Sequence, residues 1–190
     1  MNASTARPAW PLILLLVLLM AATRSHHFAG LHSLPDASWA AFFLAGFYLK
    51  QIRSFVILTA LAVVIDWTAI TVGGVSDFCV TPAYAMLLPA HAALWLGGRW
   101  YAQRHRDHWT TLLPLTAAVA ISALVAELLS GGGFYFFGGR FAEPTLAEFL
   151  PRLVKYFPSM LGAMTLYMTL AALLHALFAV SAARRATRQP

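Results

Sequence analysis

The sequence predicts an all-helical membrane protein, with six transmembrane helices in a single domain over residues 1–190. Sixty percent of the residues are hydrophobic, 11% are charged, and the mean hydropathy is +0.70, which is far from the composition of soluble globular proteins. The apolar residues form six runs without the period-2 alternation of barrel strands. Because backbone polar groups in lipid must be bonded within their own segment, each run is expected to be a helix.

The six apolar runs cover roughly 9–22, 37–49, 54–72, 82–98, 110–129 and 156–182. A helix needs about 20 apolar residues to cross a bilayer, and the third, fifth and sixth runs meet that length alone. The first two are short, so they must tilt, recruit flanking residues or lie where the bilayer thins. The first run, with Arg7 before it and Ala21-Ala22 at its end, also resembles a signal peptide. We interpret it as a retained helix.

The distribution of Lys and Arg predicts the orientation of these spans. With six spans, the two termini and the second and fourth loops share one side. That side carries nine basic residues: Arg7, Lys50, Arg53, Arg99, Arg104, Arg106, Arg184, Arg185 and Arg188. The other side carries four: Arg24, Arg140, Arg152 and Lys155. Cytoplasmic loops carry the excess of Lys and Arg, so we expect a multi-pass protein with both termini in the cytoplasm. The net charge of +6 then reflects topology, and no nucleic-acid partner is expected.

Cys79 is the only cysteine of the chain and lies in the short polar gap between the third and fourth runs. A single cysteine excludes an internal disulfide, and no second thiol is present for a dithiol pair or a zinc knuckle. Cysteine is often a small apolar residue, whereas an outward-facing thiol can serve as a thiolate ligand to a soft or borderline metal. Both interpretations remain open at this point.

Two acidic residues, Asp66 and Glu127, fall inside apolar runs near the same outer side as Cys79. An ionisable group within a membrane helix is costly and indicates a functional site. For Asp66 the alternatives are a hydrogen bond to a neighbouring helix or to Arg152, a polar anchor for a ligand, or a base that helps to ionise Cys79. For Arg152 the alternative to ligand binding is an interfacial position with its charge in water.

The first and third outward loops also differ in composition from the inward ones. The first, about 23–36, contains His26, His27 and His32, and one of them could hydrogen-bond a ligand or face lipid headgroups. The third, about 130–155, begins with the glycine- and aromatic-rich run 131–141. A loop of this length is usually functional or disordered. Aromatic side chains there supply flat apolar surface for a ligand or form an interfacial belt.

No phosphate-binding glycine loop, HExxH motif or nucleophile elbow is present in the sequence, so the motifs offer no hydrolytic function and no nucleotide cofactor. Three hypotheses remain from the residues. The protein captures a ligand at its outer side, it is a Cys79-dependent membrane enzyme, or it binds haem or a metal through His26, His27 or His32.

Four segments resemble the BtuM family, namely 26–32 (HHFAGLH), 63–67 (VVIDW), 76–84 (SDFCVTPAY) and Pro151-Arg152. BtuM proteins are small bacterial inner-membrane proteins proposed to take up cobalamin, vitamin B12. They are similar to the substrate-binding S-components of energy-coupling factor transporters. The resemblance implies a six-helix, S-component-like bundle whose vitamin pocket is closed by the outer loops.

The resemblance also implies a set of site residues. Cys79 would ligate the cobalt of the corrinoid, and the residues that would line the same pocket are His27, Asp66, Tyr84 and Arg152. The aromatic stretch would add Phe134 and Tyr135, whose rings suit the faces of a flat macrocycle fringed with amides. Cobalamin is then the transported ligand, and neither haem nor a nucleotide is expected.

The function expected from this resemblance is binding and uptake of cobalamin from the periplasm. The alternative class is a membrane enzyme that removes the cyanide of cyanocobalamin with Cys79 as the catalytic nucleophile. The expected partners are cobalamin and the lipid bilayer. An energising module is left open, because the first helix is rich in leucine over 12–19 where S-components often carry small residues spaced four apart.

Overall fold

The computed structural model describes residues 10–24, 34–106 and 108–186, with side chains to residue 181. These residues form six α-helices and no strand, which confirms the all-helical prediction. The helices are α1 Trp10–Arg24, α2 Ser38–Leu44, α3 Ile52–Thr71, α4 Leu87–Ala102, α5 Leu112–Phe137 and α6 Leu146–Ala186. A π-helical turn, Ala45–Leu49, continues α2, and a 3₁₀ turn, Pro82–Met86, leads into α4.

Three helical segments of the described chain are long and apolar enough to cross a membrane: Ile52–Thr71, Trp109–Phe137 and Leu146–Ser181. Their outer faces carry exposed apolar side chains, such as Val64 and Trp67 on α3 and Phe178 on α6. A soluble protein rarely exposes contiguous apolar faces of this kind. This pattern indicates a membrane protein.

The short helix α2 lies at the centre of the bundle. All seven of its residues are buried, and Phe42 and Phe43 are fully enclosed. A helix that is apolar on every side requires protein or lipid around it, and here α1, α3, α4 and α6 provide the contacts. The backbone reverses after the π turn at Lys50, whose φ is 58°.

Two glycines set the crossing of α4 with the segment formed by α2 and its π turn. A Cβ on Gly98 would collide with the backbone carbonyl of Phe43, and a Cβ on Gly46 would collide with that of Trp95. Small residues allow such close backbone approach, which is the usual way that membrane helices pack.

Helix α3 presents one buried stripe to the bundle, made by Ser54, Leu58, Ala62 and Asp66. These residues are four apart, so they share a face of the helix. The same register that buries Leu58 therefore also turns the Asp66 carboxylate toward the interior.

The largest difference from the predicted segments concerns residues 130–155, which were expected to be a loop. Helix α5 continues through the glycine triplet 131–133 to Phe137, and α6 already begins at Leu146. Glycine is unfavourable inside a helix by about 1 kcal/mol, which made a loop the natural expectation. Here the triplet allows close packing, since a Cβ on Gly133 would collide with Met86 and Gly132 faces the ring of Phe149.

Candidate functional site

A cavity of about 300 Å³ lies at one end of the bundle, which we call the Cys79 end. It is formed where α1 and α3 end and where α2 and α4 begin, together with the last turns of α5. Four residues singled out from the sequence line it: Asp66, Cys79, Tyr84 and Phe134. Arg24, Asp36, Trp39 and His91 also line it, and so do several apolar side chains.

Asp66 is the centre of the polar wall of this cavity. Arg24 donates two hydrogen bonds to its carboxylate, from Nε at 2.8 Å and from a terminal nitrogen at 2.7 Å. The hydroxyl of Tyr84 donates a third, 2.7 Å long. A forked guanidinium–carboxylate pair is a strong and directional interaction. One carboxylate thus connects α1, α3 and the turn before α4.

Arg24 extends this network to the beginning of α2. A terminal nitrogen of its guanidinium donates to the hydroxyl of Ser38 at 3.0 Å and lies 3.9 Å from the carboxylate of Asp36. Asp36 in turn accepts hydrogen bonds from the backbone nitrogen and the hydroxyl of Ser38. Arg24 is only 4% exposed, and a buried guanidinium requires such compensation by acceptors.

Cys79 is exposed and has no disulfide partner. It ends a 3₁₀ turn, Asp77–Cys79, in which the hydroxyl of Ser76 accepts a hydrogen bond from the backbone of Phe78. The chain enters this region through Gly74, whose φ of +67° suits glycine. The thiol therefore stands on a short, locally bonded turn at the rim of the cavity.

The connection between α5 and α6 contacts the turn that carries Cys79. Nε of Arg140 donates to the carbonyl of Phe78 at 3.1 Å, and its guanidinium lies 4.9 Å from the centre of the Phe78 ring. The Phe78 ring packs edge-on against Phe134, with the ring centres 5.6 Å apart. Phe134 lines the cavity, so these contacts connect the aromatic wall of the cavity to the rim that carries Cys79.

His91 lies on α4 at the inner wall of the cavity and is 2% exposed. Its ring stacks on Phe42 at 4.0 Å with an interplanar angle of 13°. Its Nδ1 has no hydrogen-bond partner within the described part of the chain. His91 therefore forms part of the inner wall of the cavity through a ring that also packs in the core.

Arg152 and Tyr135 do not line the cavity. The guanidinium of Arg152 lies 4.4 Å from the ring centre of Phe141 and 5.4 Å from that of Tyr135. The hydroxyl of Tyr135 donates to Glu148 and accepts from the backbone nitrogen of Thr145. Both side chains therefore organise the segment between α5 and α6, beside the cavity.

The remaining residues singled out from the sequence are placed differently. His27 lies outside the described residues, as do His26 and His32. Glu127 is buried on α5, where Gly131 leaves room for its carboxylate, and it does not line the cavity.

The sequence did not single out Arg24 as a site residue. An acid within a span requires a cation, but four basic residues were expected on the same side, namely Arg24, Arg140, Arg152 and Lys155. The sequence separation of each basic residue from Asp66 does not indicate which of the four is its partner. Arg24 was assigned to the outward side but to no site, although its position directly after the first apolar run places it at the depth of Asp66.

Two comparisons with known proteins add nothing to this geometry. No protein-family model matches the chain, and no curated protein matches it.

Proposed function

We propose that the chain is a six-span protein of the bacterial inner membrane that captures cobalamin from the periplasm and mediates its uptake, with the thiolate of Cys79 ligating cobalt. The observation that carries this proposal is the exposed thiol at the rim of a cavity that also presents Asp66, Tyr84 and Phe134. The sequence resemblance to the BtuM family indicates that the ligand is cobalamin.

The chemistry of the cavity suits a corrinoid. Cobalt accepts a soft thiolate at an axial position, and the thiol must lose its proton to bind. The peripheral amides of the ligand need hydrogen-bond donors and acceptors, which the network of Arg24, Asp66 and Tyr84 supplies. The ring of Phe134 offers apolar surface to the macrocycle.

The size of the cavity bears on how a corrinoid would bind. A volume of about 300 Å³ is at the lower end of small-molecule pockets, and a whole corrinoid is larger. The macrocycle would therefore lie at the rim, where Cys79 is exposed, and only its polar fringe would enter. The Arg140–Phe78 contact at the rim is the one that would rearrange on binding.

Besides the three long helices, six spans require that α1, α2 and α4 also cross the membrane. The fifteen residues of α1 extend about 22 Å at 1.5 Å per residue, less than a hydrocarbon core of about 30 Å. Local thinning of the bilayer or an interfacial Arg24 compensates for such a mismatch. Because α2 is enclosed by other helices, its length need not match the lipid. The distribution of Lys and Arg supports a cytoplasmic position for both termini.

Accumulation of labelled cobalamin in cells tests this function. The strain should lack other routes for cobalamin across the inner membrane and express either the wild type or Cys79→Ala at matched levels. We expect uptake with the wild type and strongly reduced uptake with Cys79→Ala. Asp77→Asn is the matched control, because it alters another residue of the same turn and keeps the thiol. Equal uptake by the wild type and by cells without the protein would refute the proposal.

The same exposed thiol supports a second function, removal of cyanide from cyanocobalamin. The thiolate sulfur donates an electron pair to form a cobalt–sulfur bond. Cyanide leaves with the electron pair of the cobalt–carbon bond, so cobalt remains Co(III) and no reductant is needed. Measurement of cyanide released by the purified protein distinguishes the roles. One equivalent per Cys79 indicates ligand exchange during binding, and many equivalents indicate an enzyme.

The haem or metal hypothesis rests on His26, His27 and His32, all outside the described residues. Within the described residues no group of three or more His, Cys, Asp or Glu side chains is placed to hold a metal ion. Absorbance of the purified protein separates the hypotheses, because a haem Soret band differs clearly from a corrin spectrum.

A further inference from the structure

A second cavity, of about 340 Å³, lies at the end of the bundle opposite to Cys79. It is bounded by the π turn after α2, the end of α4, the beginning of α5 and the later part of α6. These segments are the opposite ends of the helices that form the first cavity, so the two spaces are distinct. Nothing proposed above for cobalamin involves this second cavity.

The walls of the second cavity are mostly apolar. On α6 its lining includes four small side chains, Ala171, Ala172, Ala176 and Ala179, beside Met168, His175 and Val180, and Leu112 and Leu115 of α5 face the same space. Alanines leave an open channel along a helix where larger residues would fill it. A water molecule takes up about 30 Å³ in the liquid, and a methylene group is similar in size. The cavity volume therefore corresponds to about eleven methylene groups. The space is therefore sufficient for much of one acyl chain.

The rim of the second cavity is polar and basic. Arg106 and His108 are exposed there. The hydroxyl of the exposed Tyr48 lies 3.0 Å from Nδ1 of His175, and that of the buried Tyr101 lies 3.0 Å from Nδ1 of His105. No carboxylate is among the described residues that line this space. The guanidinium of Arg106 can therefore bind an anion at the rim, while the walls accept hydrocarbon.

We propose that this second cavity is a binding site for an anionic phospholipid. The phosphate binds at Arg106 and His108, and one acyl chain lies along the alanine face of α6. Basic pockets between membrane helices are known to hold anionic headgroups. Charge complementarity selects the headgroup, and the combination of a charged rim with an apolar channel selects a lipid over a free phosphate ion.

Native mass spectrometry of the detergent-purified protein tests this site. The protein is titrated with phosphatidylglycerol and, separately, with phosphatidylcholine of the same acyl chains. We expect one tightly retained phosphatidylglycerol and at least tenfold weaker retention of phosphatidylcholine. The double variant Arg106→Gln/His108→Gln should remove this preference, whereas Arg53→Gln, a basic residue away from the cavity, should keep it.

A second pair of variants tests the acyl channel. Ala172→Phe places a ring in the cavity and should reduce phosphatidylglycerol retention several-fold, while Leu173→Phe, on the exposed face of α6, should not. Unchanged retention in both Ala172→Phe and Arg106→Gln/His108→Gln would overturn the proposal. Complete displacement of the lipid by millimolar inorganic phosphate would also overturn it, because the site would then recognise the anion alone. Elution volume and thermal unfolding of each variant verify its fold.

Discussion

Asp66 binds three segments of the chain through one carboxylate, and both partners of its ion pair with Arg24 are buried. Desolvation of two charges is costly, and their attraction repays it only when the geometry is good. The forked geometry here satisfies that condition. Loss of one partner leaves the other as an uncompensated buried charge.

Asp66→Ala and Arg24→Ala should each lower the free energy of unfolding by about 3–5 kcal/mol. The double variant should lose much less than the sum of the two, because neither charge is then left without its partner. Unfolding in detergent micelles measures all three. Additive losses would show that the two side chains do not interact as described.

The inward direction of Asp66 can be predicted from the sequence, because an ionisable side chain within a membrane helix almost always faces the interior of the bundle. The partner of Asp66 cannot be predicted from the sequence. The choice of Arg24 among four basic residues depends on how α1 packs against α3, which is a property of the assembled bundle. For the same reason the sequence did not indicate that His91 faces the cavity, since the stacking partner Phe42 is 49 positions away.

Among the helices, α4 and α5 depend most on glycine. Gly98 brings α4 against the backbone of Phe43, and the triplet 131–133 brings α5 against Met86 and Phe149. The hydropathy pattern predicted both helices. The predicted run ended at residue 129, because glycine has a weak helix propensity, whereas α5 ends eight residues later, at Phe137. In a membrane helix the packing gain outweighs the weak propensity of glycine.

Gly98→Ala should destabilise the protein by about 1–3 kcal/mol, because the added methyl group collides with the backbone. Gly162→Ala is the matched control, since a Cβ there meets no atom within 4 Å. It should be neutral or stabilising by up to about 1 kcal/mol. Thermal unfolding of both variants compares them, and a stable Gly98→Ala protein would contradict the close crossing.

The segment between α5 and α6 should control the mobility of the turn that carries Cys79. Arg140→Ala removes a hydrogen bond and a ring contact, so hydrogen exchange of the peptide over 76–81 should accelerate about five- to tenfold, the equivalent of about 1 kcal/mol. Lys155→Ala, which loses only a contact with its neighbour Tyr156, should leave exchange unchanged. Equal exchange in both variants would show that Arg140 does not stabilise the turn.

At the scale of the whole molecule, two cavities of different character lie at opposite ends of the described bundle. One presents a thiol and a buried ion pair, and the other presents an apolar channel with a basic rim. Composition predicted the membrane class because 60% of the chain is hydrophobic. Neither cavity could be predicted in shape, since each is formed by ends of several helices far apart in sequence.

The proposed orientation predicts the accessibility of thiols in intact cells. A membrane-impermeant maleimide should label Cys79 without permeabilisation. In a Cys79→Ser background, Glu143→Cys on the α5–α6 connection should also be labelled, whereas Arg104→Cys should react only after lysis. Labelling of Arg104→Cys in intact cells would show that the proposed topology is inverted or wrong.

The central claim is that the Cys79 thiolate binds cobalt, and the visible absorbance of purified protein mixed with cyanocobalamin tests it most directly. The wild type should shift the corrin bands as sulfur becomes an axial ligand. Cys79→Ala should still co-elute with the vitamin, while its spectrum stays that of free cyanocobalamin, and Cys79→Ser should behave in the same way. A Cys79→Ala protein that shifted the spectrum as the wild type does would contradict the claim.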